Sequence, residues 1–319
     1  MRNRFTRRRH QFQQMTSSLP LLICVVGPTA IGKTKLAIAL AEVFETEIIS
    51  ADSRQFFKEM TVGTAVPSLE ELKAAKHHFI QNKSIFDSFS VGDFEKEALQ
   101  CLESLFQKNP VAILVGGSGL YVDSVVRGLD SFPDVSNEIR EALNMELASK
   151  GIASLQQELK GIDPTYYEKV DIQNPHRIIR ALEIYRASGK PYSSFLNQGA
   201  AKRNFKTIYI GLNADRETIY ERINQRVDQI ISEGLLAEAK KLYPHKELNA
   251  LQTVGYRELF AHFDGTLSLD AAISEIKKNT RRFAKRQGTW FRKNEQIEWF
   301  DFKTEPSEIA RHIKTKNAL

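Results

Sequence analysis

The chain has 319 residues, a hydrophobic fraction of 42% and a formal net charge of +6, which suit a globular protein of one large or two ordinary domains with a polyanionic partner. Its two cysteines, Cys24 and Cys101, support neither a disulfide framework nor a cysteine zinc site, and they fit a reducing cytoplasm. The longest uninterrupted apolar run, Leu21 to Val26, falls far short of the roughly 20 residues that cross a bilayer, so no membrane segment is expected.

Residues 1–18 carry Arg2, Arg4, Arg7, Arg8 and Arg9 without apolar periodicity and read as a disordered basic arm; an Arg-rich, acid-free start is also the composition of an organelle transit peptide. Leu21 to Val26 reads as a buried strand, followed by a glycine-rich turn and by helical apolar spacing over Lys35 to Phe44. Glu47 to Ser50, with Ala51 and Asp52 after it, is a second short strand, Val111 to Val115 a third, and Phe205 to Leu212 a fourth. Helical patterns between them imply crossovers, hence an α/β fold with a parallel sheet and ligand groups at the carboxyl ends of its strands. From about residue 125 to 204 the strand signal vanishes, and Glu138 to Leu147 and His176 to Ala187 read as amphipathic helices. This helical insertion, 125–204, divides a core made of residues 19–124 and 205–319. Arg216 to Leu242 then resumes as helix, and Leu269 to Arg292 is a long helix crowded with basic residues.

Gly27-Pro28-Thr29-Ala30-Ile31-Gly32-Lys33-Thr34 matches G-x-x-x-x-G-K-[ST] and lies between a strand and a helix, the context that gives such a match its meaning. Glycines let the backbone wrap a phosphate, the helix start offers N–H groups and a favourable dipole, and Lys33 adds a point charge. Thr34 can offer its hydroxyl to Mg²⁺. Nucleotide hydrolases of this class end a strand in a magnesium-binding acid, whereas Val111 to Val115 runs into Gly116-Gly117-Ser118-Gly119-Leu120-Tyr121, which argues against an ATPase motor. The second strand ends in Asp52-Ser53-Arg54-Gln55, a polar cluster where a parallel sheet presents ligands; the lesser alternative is that Asp52 is only a helix N-cap.

With these blocks on view, the chain resembles the tRNA dimethylallyltransferase (tRNA isopentenyltransferase) family, whose loop reads GPTxxGKT and whose second strand ends in DSxQ. The likeness continues through Gly116 to Tyr121, Asn174-Pro175-His176-Arg177 with Arg180-Ala181-Leu182-Glu183, Val254-Gly255-Tyr256-Arg257, and Lys285-Arg286-Gln287 with Thr289-Trp290. It implies a P-loop nucleotide-kinase-like core, a loop that takes the pyrophosphate of dimethylallyl pyrophosphate instead of ATP, Mg²⁺ as cofactor, and a cytoplasmic monomer of bacterial type acting on tRNA. It also implies that Asp52 is the general base for the adenine amine, and that Ser53, Arg54, Gln55, Ser118, Arg140, His176, Arg177 and Arg180 meet tRNA. Ser118 and His176 stand where the family often has Thr and Gln.

The chemistry is consistent with these residue types. An adenine amine is a poor nucleophile because its lone pair is delocalised into the ring, so a carboxylate such as Asp52 can remove its proton. The departing pyrophosphate gains negative charge that Lys33, the loop N–H groups, a Thr34-bound Mg²⁺ and an arginine stabilise. Arg222 and Arg226 share one helix face at i and i+4; the resemblance favours Arg226, against a solvated face paired with Glu221. Lys285 and Arg286, among the other basic residues around Phe283, Trp290 and Phe291, suit RNA contact, or a charged helix whose aromatics face the core. His77, His78 and His176 lack metal spacing. Alternatives are an adenylate isopentenyltransferase, a P-loop small-molecule kinase, and an RNA-binding protein with a vestigial loop.

Overall fold

The computed structural model describes residues 19–196, 199 and 201–318; the basic arm therefore lies outside the described residues. The strands are β1 (Leu21–Val26), β2 (Ile48–Ser50), β3 (His77–His78), β4 (Val111–Val115), β5 (Lys206–Asn213) and β6 (Ile297–Asp301), and they form one sheet in the order β3-β2-β4-β1-β5-β6. Every pairing is parallel, as the alternation of strand and helix predicts.

The central strand β1 is buried along its whole length because both of its faces are covered. Leu21, Ile23 and Val25 face a layer made by Leu36 and Leu40 of α1 (Lys33–Val43) together with Ile309 and Ile313 of a C-terminal helix. Leu22, Cys24 and Val26 face Phe94 and Leu102 on the second layer. Its helices are α3 (Val91–Phe106) and α4 (Gly119–Arg127), which follow the short α2 (Leu69–Ala74). Cys24 is thus a core residue whose thiol burial pushes its pKa far up, and half-buried Cys101 is pushed up to about 11 by the same cause. Neither is a reactive thiolate.

Residues 127–202 form a compact unit of their own. Its helices α5 (Asn137–Lys150), α6 (Ile152–Ile162), α7 (Pro164–Tyr167) and α8 (Pro175–Ser188) enclose Leu143, Leu155, Leu159, Ile178 and Leu182. Glu183 is buried there and accepts hydrogen bonds from Arg140 Nε at 2.7 Å and Nη2 at 2.8 Å and from Arg180 Nη1 at 2.5 Å. Two guanidinium groups hold its pKa below the ordinary carboxylate value against the upward push of burial.

After β5 the expected single helix over Arg216 to Leu242 is two: α9 (Arg216–Ser232) and α10 (Leu235–Leu242). Gly234, at φ 107°, breaks the rod with a conformation that few L residues adopt. Next come α11 (Tyr256–Phe263), the long α12 (Leu269–Phe291), β6 and α13 (Pro306–Asn317). Ile223, Val227, Leu235, Tyr256, Leu259, Ile276 and Ala284 pack these helices around Phe57 and Met60.

Candidate active site

Parallel register brings the carboxyl ends of three strands to one edge: Val25 and Ser50 both pair with Val115. The loop after β1 (27–34), the turn after β2 (52–55) and the loop after β4 (116–118) are therefore neighbours. The N–H of Ala51 donates to the carbonyl of Val115 at 2.7 Å, and that of Gly116 to Val25 at 3.2 Å.

The phosphate loop begins at Gly27, whose φ is 142° and where a Cβ would lie 2.5 Å from the Leu212 carbonyl oxygen. It ends at Gly32, which starts α1 without a side-chain cap. The first-turn N–H groups thus keep their capacity for an anion. Lys33 Nζ donates to the Pro28 carbonyl at 2.8 Å across the loop. Burial pulls its pKa down to about 8, Asp52 pulls it back up, and Arg226 lowers it further.

Asp52 caps no helix. Its Oδ1 accepts from the N–H of Arg54 at 3.1 Å inside a turn, and its side chain borders the cavity that holds the phosphate loop. Ser53 and Ser118 meet: the Ser53 N–H and the Ser118 hydroxyl are joined at 3.3 Å, as are the two hydroxyls. Arg54 Nη1 is committed to the carbonyls of Asn249 and Ala250, both at 3.0 Å, while the Gln55 amide receives from Ser50 and donates to the carbonyls of Thr64 and Ala65. These two side chains hold backbone in place.

Arg222 and Arg226 both border the phosphate-loop cavity. Arg222 Nε donates to the Ala30 carbonyl at 2.8 Å and its guanidinium lies over the Phe302 ring, so it buttresses the loop. Glu221 accepts from Gln225.

Two cavities use this edge. One, about 610 Å³, contains Lys33, Thr34, Ser50 and Gly117; the other, about 340 Å³, contains Ser53, Ser118, Arg257, Phe283 and Arg286. Thr29, Ala30, Asp52, Ala65, Arg226 and Ile230 border both.

Gln287 follows Lys285 and Arg286 on α12 and faces inward. Its buried amide accepts the Thr29 N–H at 2.8 Å and donates to the Gly117 carbonyl at 2.9 Å, tying α12 to two loops of the sheet edge. Replacing Gln287 by Leu strands that N–H and carbonyl, and we expect a loss of about 1 to 3 kcal/mol in unfolding free energy, measured by urea titration.

Other basic residues of α12 are partly spent on neighbours. Lys277 pairs with Asp228 at 2.6 Å, Lys278 pairs with Glu275, and Arg281 donates to Asn224 at 2.7 Å. Trp290 donates to Asp123 at 2.8 Å, and Phe291 is core, whereas Phe283 remains partly exposed with Arg286 over its ring. Lys285 borders a separate cavity of about 260 Å³. His176 and Arg177 are exposed on the first turn of α8, and Arg140 and Arg180 stay partly accessible while paired to Glu183. His78 pairs with Glu47 at 2.6 Å.

A family model described as IPP transferase matches residues 55–294. A protein of Flavobacterium johnsoniae named tRNA dimethylallyltransferase is 60% identical over 298 residues, covering 92% of this chain and 96% of its own length. One of the same name from Christiangramia forsetii is 61% identical over 295 residues, covering 92% and 98%. Among solved structures, the tRNA isopentenylpyrophosphate transferase of Bacillus halodurans is 37% identical with a TM-score of 0.68, covering 94% of this chain and 96% of its own. A eukaryotic dimethylallyltransferase described as acting on tRNA is 25% identical with a TM-score of 0.79, covering 93% and 79%.

Proposed function

The chain belongs to the IPP transferase family, and from that membership we propose that it moves the dimethylallyl group of dimethylallyl pyrophosphate onto the N6 amine of the adenosine 3′-adjacent to the anticodon in tRNA, releasing pyrophosphate. The observation that carries the reading is the pair of cavities with Asp52 and Arg226 in their common wall. The phosphate-loop cavity takes the donor; the cavity bordered by Ser53, Ser118, Arg257 and Arg286 takes the flipped adenosine.

In this reading the amine nitrogen attacks the first carbon of the prenyl group, the carbon–oxygen bond breaks, and the electron pair leaves with pyrophosphate. Asp52 accepts the amine proton. Lys33, Arg226 and the first-turn N–H groups of α1 meet the charge that develops on the leaving group. The hydroxyls of Thr34 and Ser50 and the Asp52 carboxylate border the donor cavity and are the hard oxygen donors Mg²⁺ prefers. Thr34 would hold the ion together with the substrate's own phosphates. When bound it supplies positive charge to the pyrophosphate.

The assay is unmodified tRNA with labelled dimethylallyl pyrophosphate, followed by nucleoside analysis. Label in N6-dimethylallyladenosine from tRNA is expected; label in free AMP, or consumption of ATP in place of the prenyl donor, overturns the assignment.

tRNA contact is assigned to residues that reach solvent or the acceptor cavity: His176 and Arg177, the partly exposed Arg140 and Arg180, and Lys285 and Arg286. Phosphate contacts of this kind release counterions. Lys285→Ala and Arg286→Ala are each expected to reduce the slope of log affinity against log salt by about one, read from tRNA binding across a salt series. No helix among the described residues is long and apolar enough to cross a membrane.

A further inference from the structure

The segment between β2 and α2 supplies Gly63, Thr64 and Ala65 to the acceptor cavity and Ala65, Val66 and Pro67 to the donor cavity. It has no helix or strand of its own, so contacts must set its position. Gln55 grips it at the Thr64 and Ala65 carbonyls, 3.2 and 3.0 Å away. A second grip comes from Glu238 on α10. Its Oε2 accepts the N–H groups of Thr61 at 3.0 Å and Val62 at 2.8 Å; its Oε1 accepts the Gly63 N–H at 2.9 Å and the Tyr256 hydroxyl at 2.6 Å.

Three consecutive backbone N–H groups converge on one carboxylate only where the chain curls around it, and hydrogen bonds to an ionised acceptor are the strong kind. Tyr256 is fully buried, and burial with the Glu238 charge pushes its phenol pKa far up, so it stays a donor across the working pH range. Gly63 is required at the grip, because a Cβ there would lie 2.5 Å from the Tyr256 oxygen. Two residues downstream of Gly63, Ala65 sits at φ 47°, a left-handed conformation that a non-glycine residue holds only when its surroundings impose it. Neither Glu238 nor Tyr256 borders either cavity.

We propose that Glu238 and Tyr256 are positioning residues that fix the wall carrying Ala65, and with it the seat of the five-carbon group between the pyrophosphate cradle and Asp52. The inference rests on the assignment of the two cavities to donor and acceptor. Glu238→Gln points an amide N–H₂ into converging donors and loosens the wall, Tyr256→Phe removes one donor of four, and Gly63→Ala pushes the phenol out of its place.

Single-turnover prenyl transfer to tRNA, expressed per folded molecule, should fall about 10- to 100-fold in Glu238→Gln, the scale of a small misplacement of reacting groups, and less in Tyr256→Phe. Affinity for inorganic pyrophosphate, held by residues 27–34, should stay within about twofold, as for an independent site. The ratio of rates with dimethylallyl and geranyl pyrophosphate should drift toward unity in all three variants, a readout that loss of folded protein cannot move. Wild-type rates per folded molecule with an unchanged donor ratio in all three would overturn the proposal. A wild-type enzyme that leaves tRNA unprenylated would remove the cavity assignment, and this inference with it.

Discussion

Asp52→Asn should slow prenyl transfer about 10²- to 10⁴-fold while both substrates still bind, the usual scale for a positioned acid or base. The substitution keeps the shape of the side chain and leaves an oxygen to accept the Arg54 N–H, now held at 3.1 Å, so the turn after β2 has no reason to rearrange. What disappears is the basic oxygen facing the shared wall. Single-turnover rates on folded protein with both substrates saturating separate this from a structural effect, which would lower stability and leave the chemistry of the folded molecules alone. A near wild-type rate would mean that the departing pyrophosphate or another group takes the proton.

Lys33→Ala is the second large effect. The ammonium spans the phosphate loop and borders the proposed donor cavity, so its loss should lower kcat/KM for the donor about 10²- to 10³-fold, as when one preorganised donor to a developing anion is removed. Affinity for tRNA should survive. The same lysine gives a pH signature. With its pKa lowered to about 8, it is charged below that pH in the free protein and neutral above it. Pyrophosphate favours the ammonium form, so donor binding takes up a proton and affinity falls as pH rises through about 8; Lys33→Ala should flatten that limb. The sign for stability is opposite. Between the folded value and the ordinary 10.5 the unfolded chain holds the extra proton, so the cost of burying this charge fades as pH rises across that window. Donor titrations at several pH values, wild type beside variant, check the assignment.

Much of the architecture is legible in the residues because the signals are local. Leu21–Val26 and Val111–Val115 are continuous apolar runs since the sheet is covered on both faces, and α12 keeps helical spacing over its length. The elements that escape are those whose existence depends on a neighbour. β3 has two residues and exists only as a partner of β2. β6 is an edge strand whose pattern of burial is mixed, so neither a solid apolar run nor a clean alternation marks it. At Gly234 a turn signal sits inside a pattern with helical spacing, and the spacing hides it.

The site divides the same way. The phosphate loop and the Asp52 turn are contiguous motifs, visible without a fold. Gln287 and Glu238 act on backbone 258 and about 176 residues away in sequence, so their partners can be found only once the chain has folded. Residue type also leaves tertiary partners unseen: Arg54, which borders the smaller of the two shared cavities, gives one guanidinium nitrogen to two carbonyls, and Lys277 meets an aspartate.

The span from Thr29 to Gln287 matters during synthesis. A ribosome adds Thr29 to the chain 258 residues before Gln287, and domains fold as their chain emerges. Until Gln287 leaves the exit tunnel, the Thr29 N–H and Gly117 carbonyl lack the amide that joins them. The tie between the two loops is thus completed only once α12 has been translated. A chain that ends before α12 carries the whole glycine-rich motif and still lacks the amide that joins its Thr29 N–H to the Gly117 carbonyl.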